Sequence, residues 1–495
     1  MAVVAPLHDV AVIGAGFGGL GMAVRLGRSG DVSFVVLEKA GDIGGTWRDN
    51  TYPGASCDVP SHLYSFSFHP QSWPRRYATQ AEILRYLERI VEAHALASHL
   101  RFDSPVEAAV FDERSATWRL ALAGGEVVAA RAVVSAVGQL NRPALPDIPG
   151  RERFLGRSWH SARWDHGYDL TGRRVAVIGT GASAIQFVPE IVQKAARVHV
   201  FQRTAPYVIP RPDRPYGAVE RWLYDHVPLL QRGDRLRVFL TGELLGAALL
   251  GSARLRAALE QRWRSFMHAQ VDDPALRARC EPGYVLGCKR ILFSNDWYAT
   301  LQRESVELVT DRIVEITRTG VATADGAHRE VDAVVYGTGF RATEFLQPMQ
   351  VTGLGGRDLH EVWCGTPEAY RGIQVSGFPN FFMLYGPNTN LGSNSIIFML
   401  EAQIAYVQGA LRAMRRRGLA WLDVRSDVQR DFNRWVETAS RRTVWETGCH
   451  NWYTTATGRN TNNWPAFPYR YRRLLRRVNL ADHESGPCPL PAVGG

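Results

Sequence analysis

The chain has 495 residues, a length that predicts two or three domains because single hydrophobic cores rarely grow so large. Hydrophobic residues make up 45% and charged residues 21%, which excludes a disordered or fibrous protein. The net charge of +10 suits anionic ligands such as dinucleotide phosphates. Nucleic acid is not an expected partner, because the arginines are scattered and no nucleic-acid-binding motif accompanies them.

Cysteine usage and hydropathy indicate a cytoplasmic setting. None of the six cysteines forms a CxxC, and no Cys/His set has zinc spacing, so neither a metal site nor a structural disulfide framework is expected. No signal peptide is evident. The most apolar later segment, Val238–Gly251, contains Glu243 and is shorter than the roughly 20 residues of a spanning helix, so no transmembrane segment is predicted.

The first predicted element is a strand that ends in a glycine-rich turn. Residues 9–14 form a short apolar run, and Gly14-Ala-Gly16-Phe17-Gly-Gly19 leads into a helix-compatible stretch. Glycines at such a turn leave room for a pyrophosphate at the helix N-terminus. The next strand ends at Glu38, where a carboxylate can hold both ribose hydroxyls. This βαβ unit predicts dinucleotide binding.

A loop rich in glycine and proline follows this unit. Gly44-Gly45-Thr46-Trp47 and Tyr52-Pro53-Gly54 precede Asp58, and such a loop can fold back over a cofactor. Asp58 is therefore a candidate functional carboxylate. Composition alone favours the alternative that it caps a turn.

The stretch from Phe154 to Asp165 is predicted to be a packed linker. His160 lies close in sequence to Phe154, Trp159 and Trp164. Spacing alone favours a hydrogen-bonded structural histidine over a catalytic one.

A second βαβ unit begins after this linker. Residues 174–179 form its strand, and Gly179-Thr180-Gly181-Ala182-Ser183-Ala184 forms its turn. Arg203 lies 24 positions after Gly179, as Glu38 lies 24 positions after Gly14. Because an arginine attracts a 2′-phosphate, this unit is expected to prefer NADPH over NADH. The alternative is a solvated surface charge.

The pair Lys289-Arg290 precedes the apolar run 291–293. An arginine at the start of a buried strand requires a partner or a ligand. A surface basic pair is the alternative.

The predicted fold class is α/β, with two Rossmann-like dinucleotide-binding domains. Residues 1–145 and 331–480 are expected to form the first domain, and residues 146–215 and 279–330 the second. Residues 216–278, nearly free of β-branched residues, predict a helical insertion. A long helix is expected from Ser395 to Arg417. Residues 481–495 are read as a tail, whose last ten residues, rich in proline and glycine, are expected to be disordered.

Together these motifs resemble those of the Baeyer–Villiger monooxygenases, which are class B flavoprotein monooxygenases. The family pattern F-x-G-x-x-x-H-x-x-x-W-[P/D] is matched by Phe154, Gly156, His160, Trp164 and Asp165. The upstream pattern, G-G-x-W with Y-P-G-x-x-x-D, is matched from Gly44 to Asp58. The resemblance runs from Val10 to about Tyr471. One departure is Ala184 in place of glycine, which such folds tolerate.

The resemblance implies that FAD binds the first domain and NADPH the second. It implies that Arg290 is the active-site arginine, that Asp58 positions it, and that the linker couples domain motion to NADPH binding. Lys289 would contact the 2′-phosphate with Arg203 and Thr204. The implied FAD-binding residues are Gly14, Gly16, Phe17, Gly19, Glu38, Gly45, Thr46, Trp47, Asp58, Tyr64 and Val106. The implied NADPH-binding residues are Gly179, Thr180, Gly181, Ala182, Ser183, Ala184, Arg203, Thr204, Lys289 and, by a looser match, Trp452.

The implied reaction converts a hydrophobic ketone to an ester or lactone with NADPH and O₂, through a C4a-peroxyflavin. The alternative is oxygenation of sulfur or nitrogen, whose enzymes usually have Tyr or Phe and then Lys or Arg where this chain has Trp164-Asp165. A thiol–disulfide flavoprotein reductase is not expected, because the sequence has no close cysteine pair. The segment near Leu244–Leu250 admits a lid, an oligomer contact or a membrane-surface helix, with a packed helix as the default.

Overall fold

We describe a computed structural model of the chain, covering residues 6–449 and 451–487. Of the last ten residues, for which the sequence predicts disorder, 488–495 lie outside this range. Two sheets, each topped by a glycine-rich turn, organise the structure.

The first sheet has eight strands and contains the first glycine-rich turn. Its central strand, Leu7–Ile13, pairs in parallel with Phe34–Leu37 on one side and Val127–Ser135 on the other. The last four residues of the central strand are buried, as expected for a parallel strand that is covered on both faces. The remaining strands are Leu100–Arg101, Val106–Asp112, Thr117–Leu122, Gln350–Thr352 and Phe381–Met383.

The second sheet has five parallel strands and contains the second turn. In spatial order these are Val306–Val309, Arg197–Phe201, Arg174–Ile178, Ala333–Tyr336 and Arg157–His160. The strand Ala333–Tyr336 pairs with Arg174–Ile178 and with the linker strand. The predicted domain boundary at residue 331 placed the strand Ala333–Tyr336 in the first domain. Because this strand belongs to the second sheet, the boundary lies after residue 336.

The remaining strands form three small sheets. One consists of Val208–Ile209 and Leu292–Phe293, and a second consists of Ile313–Ile316, Gly320–Thr323 and His328–Glu330. In the third, Trp421–Val424 pairs with His483–Gly486. The last pairing corrects the reading of 481–495 as a tail, because residues 483–486 are an antiparallel strand of the fold.

The predicted long helix is present as Ile396–Arg417. The Ser395 hydroxyl accepts a hydrogen bond from the Ile397 N–H at 3.2 Å, and Gly418, with φ of 62°, ends the helix. The other helices outside the insertion are Phe17–Gly27, Thr46–Asp49, Gln80–Ala93, Ala184–Ile191, Trp297–Leu301, Leu359–Trp363, Ser426–Ser440 and Pro468–Leu474.

The insertion is helical, as predicted. Its helices are Ala218–His226, Pro228–Leu249, Ala253–His268 and Pro274–Cys280. The second of these buries Ala248 and Leu249 but leaves Leu244 exposed. In the described part of the chain, no single helix is both long and apolar enough for a membrane span. The pair Pro228–Leu249 and Ala253–His268, which is bent by 105° at its junction, has the required length and apolarity when the two helices are taken together.

A disulfide joins Cys288 to Cys449, whose Cα atoms lie 6.3 Å apart. No structural disulfide was predicted, because cysteine number and local spacing carry no signal for two residues that are 161 positions apart. Cys57, Cys280 and Cys364 are free thiols.

Phe187 provides a test of the second core, where its side chain is fully buried. Phe187→Ala should lower the free energy of unfolding by about 3–5 kcal/mol, since it removes a buried ring and leaves a cavity. Urea denaturation measures the change. Leu155→Ala, at a side chain that is 67% exposed, is the matched control and should stay within about 0.5 kcal/mol. A loss below about 1 kcal/mol for Phe187→Ala would contradict the packing described.

Candidate functional site

A cavity of about 2380 Å³ runs between the two sheets and is lined by both glycine-rich turns. It brings together every predicted cofactor-binding residue except Gly19 and Ala184, which lie inside the helices that follow the turns. None of the five linker-motif residues lines it. The described residues include no group of three His, Cys, Asp or Glu side chains placed to hold a metal ion.

The first turn is shaped to receive a phosphate. Gly14 has a φ of +103°, and a Cβ there would lie 2.8 Å from the Ala136 carbonyl oxygen, so glycine is required. The helix Phe17–Gly27 starts directly after Gly16 and points its free N–H groups toward the cavity end. This cradle fits the pyrophosphate of a dinucleotide.

Glu38 lies at the cavity wall with its carboxylate held in place. Oε2 accepts from the Ala15 N–H at 2.8 Å, and Oε1 lies 3.1 Å from Arg48 Nη1. The side chain is 6% exposed, so the pair with Arg48 compensates a buried charge. Arg48 was not predicted, because an arginine two residues from a turn carries no sequence signal of its own.

The Gly44–Trp47 segment, predicted to be a loop that can cover a cofactor, folds back over the first turn. The Gly44 N–H donates to the Ala15 carbonyl at 3.0 Å. Trp47 Nε1 donates to the Tyr64 hydroxyl at 3.1 Å, and the Tyr64 ring packs edge-on against Phe17. These aromatic contacts place Tyr64 on the cavity wall. Val106, the first residue of the strand Val106–Asp112, also lines the cavity.

Asp58 and Arg290 form an ion pair, although they are far apart in sequence. Asp58 Oδ2 accepts from Arg290 Nη2 at 2.5 Å and from Nε at 3.1 Å. The side chains are 22% and 31% exposed, and both line the cavity. The charge of Asp58 raises the pKa of Arg290 above its usual range, so the guanidinium is permanently cationic. In the structure Asp58 therefore accepts from a side-chain cation, and Arg290 faces the cavity.

Two residues that sequence reasoning missed hold the Asp58 loop against the second domain. Gln186, on the helix after the second turn, accepts from the Tyr52 hydroxyl at 3.0 Å and donates to the Ser56 carbonyl at 3.0 Å. Arg211 donates to the Ser56 hydroxyl at 2.9 Å and to the Cys57 carbonyl at 3.1 Å. The position of Asp58 is therefore fixed by residues of the second nucleotide unit and its following segment.

The second turn repeats the geometry of the first with one change. Gly179 donates to the Phe201 carbonyl at 3.0 Å, as Gly14 donates to Leu37. Ala184 replaces the expected glycine, and its Cβ is 3.2 Å from where a Cβ on Gly337 would lie. Glycine at 337 makes room for the alanine, which explains why the departure is tolerated.

A small cluster of positive charge lies beside the second turn. Lys289 Nζ donates to the Thr204 hydroxyl at 2.8 Å, and its ammonium lies 4.8 Å from the centre of the Tyr284 ring. Partial burial and, secondly, the charge of Arg203 lower the pKa of Lys289. Arg203 is exposed and forms no ion pair within the described part of the chain. Two adjacent cations without an acid between them suit a phosphate dianion.

The linker forms the edge strand of the second sheet. His160 is buried, burial lowers its pKa, and Nδ1 accepts from the Ala162 N–H at 3.1 Å. The Trp164 ring packs on Phe187 at 5.3 Å between centres. Asp165 caps a turn by accepting from the Gly167 N–H at 3.0 Å. These contacts agree with the predicted packed linker, and the motif residues do not line the cavity.

Two tyrosines, Tyr385 and Tyr453, lie within electrostatic range of Arg290. Burial raises the pKa of both phenols, that of Tyr453 to about 12, so each stays protonated at neutral pH. Trp452, next to Tyr453, lines the cavity. Apolar side chains also line the cavity, namely Leu391, Ile396, Ile397 and Leu400.

The chain is similar to known flavoproteins over nearly its whole length. Residues 11–227 match the family model described as pyridine nucleotide-disulphide oxidoreductase. A "Baeyer-Villiger monooxygenase" of Streptomyces coelicolor is 47% identical over 96% of this chain and 92% of its own. A protein of the same name from Pseudomonas aeruginosa is 43% identical over 98% of this chain and 92% of its own.

Solved structures show the same fold. An oxidised steroid monooxygenase bound to NADP is 32% identical, with a TM-score of 0.85 over 95% of this chain and 97% of its own. A cyclohexanone monooxygenase from Rhodococcus sp. Phi1 bound to NADP⁺ is 27% identical, with a TM-score of 0.87 over 98% of this chain and 100% of its own.

Gly54 tests the contact between the Asp58 loop and the second domain. Its φ is +76°, and a Cβ there would lie 2.7 Å from the Gln186 carbonyl oxygen. Gly54→Ala should therefore lower the free energy of unfolding by about 1–3 kcal/mol, through backbone strain and displacement of the loop. Gly125→Ala is the matched control, because Gly125 has a φ of +88° but nothing within 4 Å. Equal losses in the two variants, measured by urea denaturation, would show that the contact with Gln186 is not tight.

Proposed function

Because the chain belongs to the Baeyer–Villiger monooxygenase family, we propose that it converts a hydrophobic ketone to an ester or lactone with FAD, NADPH and O₂. The observation that carries the proposal is the Asp58–Arg290 ion pair, which lies in one cavity with both glycine-rich turns. A fixed cation at that place suits a reaction in which negative charge develops on oxygen.

We assign FAD to the first turn and NADPH to the second. The first turn with Glu38 supplies a pyrophosphate cradle and a carboxylate for the ribose. At the second turn, Arg203 and Lys289 supply the charge that reads a 2′-phosphate. When bound, NADPH supplies a hydride and FAD supplies the activation of O₂.

Arg290 would act as the electrostatic group of the reaction. Its described hydrogen bonds use Nε and Nη2, both to Asp58, so that Nη1 remains as a donor for an oxygen in the cavity. Asp58 fixes the plane of the guanidinium and leaves its charge permanent. Removal of one such donor typically slows a reaction about 100- to 1000-fold.

Apolar residues of the cavity wall support a hydrophobic substrate. Leu391 and Ile397 supply apolar surface in the cavity that Tyr385 also lines, and the insertion helix Pro228–Leu249 approaches this wall closely where Gly242 meets Asn394. An apolar ketone would place its carbonyl toward Arg290. A cytoplasmic location stays a prediction.

Product analysis tests the proposal. The holoenzyme is supplied with NADPH, ¹⁸O₂ and a panel of linear, cyclic and polycyclic ketones, and the products are identified by mass spectrometry. An ester or lactone carrying one ¹⁸O is expected. A product from sulfides or amines only would favour heteroatom oxygenation, and NADPH oxidation without any oxygenated product would refute both reactions.

Arg290→Ala should separate the two halves of the reaction. Flavin reduction by NADPH should persist, while ester formation falls by about 100-fold or more, because the developing oxyanion loses its cation. Stopped-flow absorbance follows flavin reduction, and mass spectrometry follows ester. Equal loss of both would contradict the role proposed for Arg290. Arg142→Ala, at another arginine of the cavity wall, is the control.

Arg203→Ala should weaken the preference for NADPH. The apparent KM for NADPH should rise about tenfold, the equivalent of one lost charge-assisted contact of about 1.4 kcal/mol, while that for NADH changes little. Steady-state kinetics with both coenzymes measures the ratio. An unchanged ratio would rule out Arg203 as the reader of the 2′-phosphate.

A further inference from the structure

The Cys288–Cys449 disulfide joins two chain segments that form the wall of the cavity. Cys288 directly precedes Lys289 and Arg290, and Cys449 lies three residues before Trp452. Cys288 is fully buried, whereas Cys449 is half-buried and lines the cavity. The bond is therefore reachable from the cavity on the Cys449 side only.

Residues 444–461, which we term the strap, are anchored at both ends by contacts that do not involve this bond. At the start, Val444 and Trp445 are buried in the core of the second domain. At the end, the Asn388 side chain donates to the Asn460 carbonyl at 3.0 Å. The fold thus holds the ends of the strap independently of the disulfide.

Between these anchors the disulfide is a covalent tie of the exposed turn around Cys449, while Trp452 and the fully buried Tyr453 pack on the core of the second domain. In the described part of the chain, every hydrogen bond of residues 447–449 and 451–452 has both partners between 444 and 454. Trp452 is half-buried and packs against Tyr453 at 4.3 Å between ring centres. Cys449 consequently ties the turn before Trp452 to the Lys289–Arg290 segment, in addition to the packing of Trp452 on the core.

We propose that Cys288–Cys449 is a reversible thiol–disulfide site, opened by a dithiol reductant, that controls how firmly Trp452 is held at the cavity wall. One thiolate of the dithiol attacks the Cys449 sulfur, and the S–S bond breaks with Cys288 leaving as a thiolate. The second thiol of the reductant then closes its own disulfide and releases Cys449. Two electrons and two protons pass from the dithiol, which is oxidised, to the two cysteines.

The surroundings favour this direction of attack. Cys449 is the sulfur that lines the cavity, whereas Cys288 is fully buried, so a reductant in the cavity meets Cys449 and Cys288 is the leaving sulfur. In the described part of the chain, Cys280 and Cys57 are also buried but have no partner sulfur, so they offer a matched comparison.

The consequence for the enzyme rests on the proposed function. With the disulfide closed, Trp452 is held at the wall of the cavity that the second turn also lines. With it open, residues 447–452 lose their link to the Lys289–Arg290 segment, so the coenzyme should bind less tightly. We expect the apparent KM for NADPH to rise at least about fivefold on reduction, the lower end of ordinary coupling between sites.

The first experiment measures the bond directly. Holoenzyme is equilibrated in glutathione buffers of increasing oxidation, quenched in acid, alkylated under denaturing conditions and analysed as peptides. Cys288 and Cys449 should pass together from alkylated to linked, while the exposed Cys364 behaves independently. Full alkylation of both in the most oxidising buffer, or retention of the link in excess dithiothreitol, would overturn the proposal.

The second experiment measures the strap. Hydrogen exchange of residues 444–461 should increase when dithiothreitol is added to the wild type and to the control Cys280→Ser. In Cys449→Ser and Cys288→Ser, hydrogen exchange of the strap should be high both with and without dithiothreitol. Equal exchange in oxidised and reduced wild type would overturn the proposal. This readout needs no ketone product, so a failed oxygenation assay and a failed redox site are distinguishable.

The third experiment tests whether the redox state of the disulfide changes the binding of NADPH. The apparent KM for NADPH is measured in oxidised and reduced wild type, Cys449→Ser and Cys280→Ser. Cys449→Ser should match the reduced wild type in either buffer, while Cys280→Ser should keep the redox dependence. Identical values for oxidised and reduced wild type, in protein whose bond is shown to open, would overturn the control of Trp452.

Discussion

The ion pair between Asp58 and Arg290 is the interaction on which the site depends. Asp58 belongs to the loop that follows the first nucleotide unit, and Arg290 to the segment that follows the helical insertion. One carboxylate oxygen receives two N–H groups of the guanidinium, so the two segments cannot shift independently without stranding a charge. The ion pair thereby fixes a cation in the cavity that both turns line. Gln186 and Arg211, from the second nucleotide unit and the segment after it, also hold the Asp58 loop in place.

The linker motif illustrates how a family signature and a reaction can lie apart. Its histidine is buried, with burial lowering its pKa, and its tryptophan packs on Phe187 in the core of the second domain. Phe187 also contacts the ring of Tyr52, which leads into the Asp58 loop. The motif supports the surface on which that loop rests, and the chemistry proposed above uses other residues.

Short-range signals in the sequence were sufficient to identify much of the site. The two turns and the residues that end their second strands could be predicted because local dihedral and charge requirements leave few choices, while the functional reading of Asp58 and Arg290 came from the family resemblance. Gln186, Arg211 and the Cys288–Cys449 bond could not be predicted, since each acts on a segment more than a hundred residues away. The strand Ala333–Tyr336 was assigned to the wrong sheet because an apolar run ending in glycine suits either one.

A double-mutant cycle between Asp58 and Arg290 tests the central claim most directly. The rate of ester formation is measured in single turnover for Asp58→Ala, Arg290→Ala and the double variant. If the pair acts as one unit, each single variant loses about 100-fold or more and the double variant is within about tenfold of Arg290→Ala. Losses that multiply in the double variant would show that the two residues act independently and would contradict the account.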